Sequence, residues 1–170
     1  SDLQAALTKL KDLDFDAIII PGYYTESGTI TKQARDMGID VPILGSDGFD
    51  SPTFTELATA EAASNVYYLS AFVTSASDRA QEFYDNYIAE YGEEPSMFSA
   101  LAYDSVYMAA AAAEGATTSI EIKDNLASLT DFEGVTGTMS IDENHNVVKS
   151  VYVVGLENGE QSTVEAVTVD

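Results

Sequence analysis

Two short loops carry the side chains of this 170-residue chain that are best suited to binding a charged ligand. Tyr23 and Tyr24 stand in the first loop, beside Gly22, and Ser46 and Asp47 stand in the second, between glycines that let a ligand approach the backbone. A carboxylate forms a charge-assisted hydrogen bond with an ammonium group, and tyrosine offers a hydroxyl or a cation–π face. An ammonium group would suit this pair of loops, and the alternatives are ordinary packing of the tyrosines and a turn or cap role for the acid.

The usual signatures of enzymes and metal sites are absent from the sequence. There is no cysteine, no nucleophile elbow, no phosphate loop and no dinucleotide fingerprint, and the one histidine, His145, lies in a polar turn. That turn begins at Asp142 with the alternate spacing of a calcium loop, but Val147 and Val153 replace the required glycine and glutamate. We therefore predict no catalytic residue, no metal and no cofactor.

Charge and hydrophobicity exclude several kinds of partner. With 7 basic against 29 acidic residues, the net charge of −22 repels nucleic acid and anionic membranes. No apolar run approaches the roughly 18 residues of a membrane span, and no basic-then-apolar leader opens the chain. We expect a soluble, mature or trimmed segment that does not insert into a membrane.

The two loops follow strands in an alternating strand and helix pattern, which predicts a doubly wound α/β sheet of the Rossmann-like, flavodoxin-like type, flanked by helices. The β-branched run at residues 17–20 is predicted as a parallel strand buried on both faces. The other predicted elements of this part are a helix that ends at residues 11–12, a helix over 25–37, a strand over 42–44, a short helix over 53–58 and a strand over 66–72.

Beyond residue 74 the hydrophobic period becomes helical. Helices are predicted over residues 80–91, 98–113 and 119–129. Strands over 137–141 and 151–156 are predicted to form a β-hairpin across the polar turn at 142–146, and a second turn at 157–160 leads to a last strand over 164–169.

The loops and their surroundings resemble the second lobe of Leu/Ile/Val-type periplasmic binding proteins, which have the type I periplasmic-binding-protein fold. The resemblance begins with DAIIIPGYYTESG at residues 16–28 and PILGSDGFD at 42–50, and covers nearly the whole chain. Further segments that carry it are residues 32–38, 91–104 and 132–142. It implies that residues 1–73 belong to the second lobe, that 74–140 return to the first lobe, and that strands within 141–170 cross between them.

The resemblance also assigns roles to the loop residues. It implies that Tyr23 lines the ligand cleft and that Asp47 binds the ligand's α-ammonium group, with aspartate in place of glutamate keeping the charge but shortening the reach. Tyr24 and Ser46 are candidates as their neighbours. Phe98 resembles an aromatic residue that touches the ligand side chain from the first lobe, whereas the helical pattern around Tyr103 favours core packing.

The implied function is that of the extracytoplasmic solute-binding component of a branched-chain amino-acid ABC transporter, either periplasmic or anchored as a lipoprotein. Such a protein closes two lobes around a small amino acid and presents the closed form to an ABC permease. Family members begin with a first lobe that this chain lacks, so we expect weak binding or none from these residues alone, and a homodimer through exposed surfaces.

Two alternatives remain open at this point. The first is a sensor or receptor ectodomain of the same fold, in which closure signals instead of delivering a ligand. The second is a small flavodoxin-like enzyme or receiver-like domain that uses its acidic loops for Mg²⁺.

Overall fold

The computed structural model describes residues 3–168, and these divide into two compact units. The first unit runs to Ser70 and includes Tyr152–Glu165, and the second contains Ala71–Val151 and the residues from Ala166 onward. The helices are α1 Gln4–Lys11, α2 Tyr24–Asp36, α3 Pro52–Ala58, α4 Asp78–Tyr91, α5 Met97–Ala113 and α6 Ser119–Ala127. The strands are β1 Ile18–Ile20, β2 Ile43–Gly45, β3 Val66–Ser70, β4 Phe132–Gly134, β5 Gly137–Ile141, β6 Val147–Val148, β7 Val151–Glu157 and β8 Glu160–Val167.

The first unit is built on a sheet with the strand order β1-β2-β3-β7-β8. β1, β2 and β3 are parallel, and the register pairs Ile20 with Gly45 and Gly45 with Tyr68, so that the carboxyl ends of these strands are aligned. β7 is antiparallel to β3 and continues into β8. The predicted α/β fold, with parallel strands and flanking helices, is confirmed.

One face of this sheet is packed and the other is exposed. Ile43 and Val66 are fully buried on the packed face, whereas Ile19, with 75 % of its surface exposed, and Leu69 point to the opposite face. The prediction that the first strand is buried on both faces is therefore wrong. A run of β-branched residues shows that a strand forms, but it does not show whether helices cover one face or both.

Arg35, in the last turn of α2, holds the edge of the first unit opposite the strand ends. Its guanidinium donates hydrogen bonds to the carbonyl oxygens of Ile39 at 2.7 Å, Val41 at 2.9 Å, Ser64 at 2.9 Å and Asn65 at 3.4 Å. Burial lowers the pKa of Arg35, and the negative charge of Asp40 opposes that effect. One planar cation thereby joins the segments that lead into β2 and β3.

The second unit packs α4, α5 and α6 with a small antiparallel sheet. Ser77 caps α4, whose C-terminal residue is followed by Gly92 in the left-handed conformation, and Thr118 forms a capping box with Glu121 at the start of α6. The core contains Phe72, Ala80, Phe83, Met97, Ala100 and Val135. The three helices predicted for this part of the chain agree with those of the structure to within two residues at each end.

Asp104 fastens the small sheet of the second unit to α5. Its buried carboxylate accepts hydrogen bonds from the backbone N–H of Val135 at 2.8 Å, the N–H of Thr136 at 2.8 Å and the hydroxyl of Thr136 at 2.6 Å. The three donors satisfy a charge that would otherwise be costly to bury. Asp104 is thus fully occupied by structural contacts.

The hairpin predicted between residues 137–141 and 151–156 is wrong in its pairing. β5 pairs antiparallel with β4 on one side and with the short β6 on the other, while β7 joins the sheet of the first unit. The polar turn closes on β6 because the Asp142 carboxylate accepts hydrogen bonds from the N–H groups of Asn144 and Asn146. The second predicted turn does form a hairpin, between β7 and β8, and Val169 at the end of its predicted strand lies outside the described residues.

Candidate functional site

The loops that follow β1 and β2 meet at the carboxyl ends of the strands, where open α/β sheets bind ligands. The Ser46 hydroxyl donates a hydrogen bond to the Gly22 carbonyl oxygen at 3.4 Å. A Cβ atom placed on Gly48 would lie 2.5 Å from that same oxygen and 3.2 Å from the Cα atom of Tyr23. Only glycine allows this approach, so the sequence Ser46-Asp47-Gly48 is held directly against Gly22-Tyr23.

Asp47 begins a 3-10 turn, Asp47–Phe49, and its side chain is exposed. The turn is closed by two backbone hydrogen bonds, from Phe49 N–H to the Ser46 oxygen at 3.2 Å and from Asp50 N–H to the Asp47 oxygen at 3.1 Å. An exposed carboxylate on a closed turn can accept hydrogen bonds from a ligand without rearrangement of the backbone.

The Phe49 ring anchors this turn from below. It is buried and stacks on Phe54 of α3 with ring centroids 4.8 Å apart. It also lies against Gly45, where a Cβ atom would come within 2.5 Å of the ring. The Phe49 ring thus fixes the turn Asp47–Phe49 against Gly45, the last residue of β2.

Tyr23 occupies the N-cap position of α2, and Tyr24 is the first residue of that helix. The Tyr23 carbonyl oxygen accepts the Ser27 N–H at 2.9 Å, and 65 % of the Tyr23 surface is exposed, whereas Tyr24 is half-buried. The structure therefore brings Tyr23, Tyr24, Ser46 and Asp47 to one edge of the first unit, where the amino-terminal end of α2 faces outward.

Asp50 is the residue of this loop that the sequence analysis passed over. Its partly buried carboxylate accepts a hydrogen bond from the Ser70 hydroxyl at the end of β3. Burial raises the pKa of Asp50 to about 6, the Ser70 hydrogen bond lowers it, and the negative charge of Asp47 raises it. No spacing rule connects two residues twenty positions apart, because they meet only through the parallel pairing of β2 with β3.

Tyr68, on β3, is close enough to Asp50 for the charge of Asp50 to act on it, and it forms a hydrogen bond with Gln161. Burial is the main cause that raises the pKa of Tyr68, and the charge of Asp50 adds to it, while a hydrogen bond with Gln161 lowers it. Because its pKa lies above the ordinary value of about 10, Tyr68 is a neutral phenol near neutral pH. Asp50 is thus the group of this cluster that changes charge near neutral pH.

Phe98 and Tyr103 belong to the second unit. Phe98 is the second residue of α5, half-buried against the core of that unit. Tyr103 contacts the Phe83 ring at a centroid distance of 5.0 Å, as core packing predicts, but 41 % of its surface is exposed. Tyr103 lines two cavities, of about 340 and 410 Å³, on this side of α5.

His145, the one histidine of the sequence, belongs to the second unit. His145 lies in the polar turn with a positive φ of 65°, and its N–H donates to the Asp142 carbonyl oxygen at 3.0 Å. Residues 3–168 hold no group of three or more His, Cys, Asp or Glu side chains arranged to bind a metal ion. Within the same residues, no helix is both long enough and apolar enough to cross a membrane.

Ligand sites at the carboxyl ends of parallel strands are general to open α/β sheets, and residues 1–161 match the sequence profile of a family described as periplasmic binding protein. The chain belongs to that family, whose members are extracytoplasmic solute-binding proteins and not enzymes.

Three relatives show which branch of the family is similar. The branched-chain amino-acid transporter substrate-binding protein LivJ of Streptococcus pneumoniae, solved with isoleucine, is 56 % identical over 98 % of this chain and 48 % of its own, with a TM-score of 0.91. The leucine-binding protein LivK of Thermotoga maritima is 32 % identical over 98 % of this chain and 49 % of its own, with a TM-score of 0.88. The Leu/Ile/Val-binding protein BraC3 of Rhizobium johnstonii is 26 % identical over 77 residues, which are 45 % of this chain and 21 % of that protein. The chain therefore spans about half the length of the solved proteins that it matches.

Proposed function

We propose that this chain contributes the ammonium-binding half of a branched-chain amino-acid-binding protein. The observation that carries the proposal is the exposed Asp47 carboxylate, presented on a closed turn that is held against Tyr23 at the carboxyl ends of β1 and β2. The similarity to a LivJ protein solved with isoleucine supports an amino acid as the ligand. A carboxylate surrounded by acidic residues favours a cation over an anion.

Each site residue has a role in this proposal. Asp47 accepts hydrogen bonds from the α-ammonium group, and the exposed Tyr23 ring lines the same side of the ligand. Ser46 and Tyr24 support them, since Ser46 bonds to the Gly22 carbonyl and Tyr24 starts α2. Phe98, in the second unit, contributes an aromatic contact to the ligand side chain.

The proposed physiological role is transport. The protein that contains this chain delivers its amino acid to an ABC permease and works outside the cytoplasm, in a periplasm or anchored to the cell surface as a lipoprotein. We further propose that residues 1–73 belong to one lobe of that protein, that 74–140 belong to the other, and that strands within 141–170 cross between them. Ligand binding and lobe closure are then linked through differential affinity.

The proposal is tested by isothermal titration calorimetry on the full-length gene product that contains this chain. We expect L-isoleucine to bind, and we expect 3-methyl-2-oxopentanoate, the analogue with a keto group in place of the amine, to bind at least about a hundredfold more weakly, because the Asp47 carboxylate then has no ammonium group to pair with. Asp47→Asn should weaken the binding of isoleucine by about tenfold to a hundredfold, the loss expected for one charge-assisted hydrogen bond.

Asp12→Asn is the matched control, since Asp12 is an exposed aspartate that follows α1. It should leave the affinity unchanged. If isoleucine, leucine and valine all fail to bind the wild-type protein, the proposed function is wrong. Unchanged affinity in Asp47→Asn, with intact binding by the wild type, would remove only the assignment of Asp47.

A further inference from the structure

Asp50 links the turn that presents Asp47 to the neighbouring strand. Its backbone N–H closes the turn by donating to the Asp47 carbonyl oxygen at 3.1 Å, and its carboxylate accepts the hydroxyl of Ser70. Ser70, with 1 % of its surface exposed, is the last residue of β3. One residue thus fastens the candidate site through its main chain on one side and through its side chain on the other.

The Ser70 contact locates the carboxylate of Asp50 close to the site instead of in the solvent. The groups that act on Asp50 are the Ser70 hydroxyl at the end of β3 and the carboxylate of Asp47 on the turn. The charge of Asp50 in turn acts on the Tyr68 phenol on β3, which forms a hydrogen bond with Gln161 on β8. Asp47 and Asp50 are the two acidic side chains among these groups. The edge of the first unit therefore presents two mutually repelling carboxylates, and a cation that binds between or beside them relieves that repulsion.

We propose that Asp50 is a positioning residue for the amino-acid ligand: anchored by Ser70, it fixes the turn that bears Asp47, and its negative charge strengthens the hold on the ligand's ammonium group. This inference rests on the proposed function, because it requires an ammonium-bearing ligand at Asp47. In this proposal, Asp50 contributes to the affinity for the amino acid although its partly buried carboxylate need not touch the ligand.

The charge of Asp50 makes the affinity depend on pH in a defined direction. The pKa of Asp50 is about 6 in the absence of a ligand, and an ammonium group beside Asp47 lowers it because the cation stabilises the ionised form. Binding then releases a proton from Asp50 between about pH 5 and 7. By linkage, the affinity for the amino acid rises as the pH rises through this range.

The experiment is calorimetric titration of the full-length gene product with L-isoleucine at several pH values from 5.0 to 7.5. For the wild type we expect the affinity to increase by about fivefold over this range, since a pKa lowered by one unit corresponds to a tenfold change in affinity. Asp50→Asn keeps the shape and a carbonyl that can accept the Ser70 hydroxyl, but it should bind about tenfold more weakly than the wild type at pH 7.5, where Asp50 is ionised, and show no pH dependence.

Two further variants separate positioning by Asp50 from a general structural effect. Ser70→Ala removes the hydrogen bond that lowers the pKa of Asp50, so the midpoint of the pH profile should move to a higher pH. His145→Gln replaces the one histidine of this chain, and its profile should match that of the wild type. If Asp50→Asn does not fold, the role of Asp50 is tested by Ser70→Ala alone. A midpoint that moves to a higher pH supports the role, and a midpoint that stays or moves to a lower pH overturns it.

The outcomes distinguish this inference from the proposal on which it rests. Failure of the wild type to bind isoleucine, leucine or valine at pH 7.5 overturns both. If the wild type binds but its affinity does not change with pH, or if Asp50→Asn keeps the wild-type profile, the role of Asp50 is overturned and the amino-acid-binding function stands. A profile that is lost in His145→Gln also overturns the assignment to Asp50.

Discussion

At the scale of single residues, the side chains that serve the site and those that serve the fold are different members of the same loop. Asp47 is exposed, while Phe49 is buried and Asp50 is held by Ser70. A partly buried carboxylate is a cost to the folded state, because burial disfavours its ionised form. The charge of Asp50 thus lowers the free energy of unfolding while it keeps a second carboxylate near Asp47.

Asp50→Asn should therefore stabilise the protein while weakening ligand binding. The pKa of Asp50 is raised to about 6 in the folded protein from an ordinary value of 3.8, so its contribution to stability is fully present below about pH 4 and is lost as the pH rises through 6. Replacing the carboxyl by an amide should raise the free energy of unfolding by about 1–3 kcal/mol at pH 7.5, and by about 1 kcal/mol less at pH 5.0.

Urea unfolding of the full-length gene product, followed by circular dichroism at the two pH values, measures this effect. Asp12→Asn, at an exposed position, should change the free energy of unfolding by less than about 0.5 kcal/mol at either pH. A destabilised Asp50→Asn at pH 7.5 would show that the Ser70 hydrogen bond contributes more than the buried charge costs.

At the scale of elements, Arg35 is the side chain whose loss should damage the first unit most. Four carbonyl oxygens from the segments before β2 and β3 accept its guanidinium N–H groups. Arg35→Met leaves these acceptors without a partner and should cost about 2–4 kcal/mol in the free energy of unfolding. Arg35→Lys should recover little of it, because an ammonium group cannot reproduce the planar fork of donors.

Lys32→Met is the matched control on the same helix. Lys32 forms an exposed ion pair with Asp36 at 2.7 Å, one turn further along α2, and such pairs contribute about 0.3–0.5 kcal/mol. The comparison is made from the midpoints of urea unfolding. Equal effects of Arg35→Met and Lys32→Met would show that the carbonyl oxygens find other donors, such as water, when the guanidinium is removed.

The elements themselves were largely predictable from the sequence, and their pairing was not. Hydrophobic periods and caps place a helix or a strand because they act within a few residues, as the agreement for α4, α5 and α6 shows. Pairing depends on contacts between distant segments. β5 and β7 have the same alternation of polar and apolar residues, and only the folded chain shows that β5 turns onto β6 while β7 adds to β3.

Some residues of the candidate site could likewise be predicted from the sequence, and others could not. Tyr23 and Asp47 could be singled out because parallel strands bring their carboxyl ends to one edge, so any polar residue that follows such a strand is a candidate. Asp50 could not be singled out from the sequence, because its role depends on the hydrogen bond that its carboxylate accepts from the Ser70 hydroxyl on another strand. The exposure of Ile19 was likewise beyond the sequence, since it depends on which helices lie on which face of the sheet.

At the scale of the whole molecule, the described chain presents an apolar sheet face beside a strongly acidic surface. Ile19, Leu44, Tyr67 and Leu69, on β1, β2 and β3, are all exposed on the face of the sheet opposite α2 and α3. Exposed apolar patches of this kind favour association, whereas the net charge of −22 repels a second copy. Because salt screens the repulsion but not the hydrophobic contact, the balance between the two is set by ionic strength.

The 170 residues expressed alone should therefore associate in a salt-dependent way and bind amino acids poorly. Light scattering should give a mass above the 18.2 kDa of one chain, increasing between 0.05 and roughly 0.5 M salt as the Debye length shrinks. Leu69→Glu, which places a charge on the sheet face, should restore the monomer, and Leu13→Glu, at an exposed leucine outside the strands, should not.

Calorimetry of the same 170-residue sample with L-isoleucine should show no binding in the micromolar range, because the chain spans only about half the length of the LivJ and LivK proteins it matches. At the open edge of this sheet the ligand stays in contact with water on all sides except the one that faces Asp47. A single charge-assisted hydrogen bond of this kind provides only about millimolar affinity. Micromolar binding by this sample would show that the strand-end loops alone are sufficient, and a mass of 18.2 kDa at every salt concentration would show that charge repulsion outweighs the sheet face.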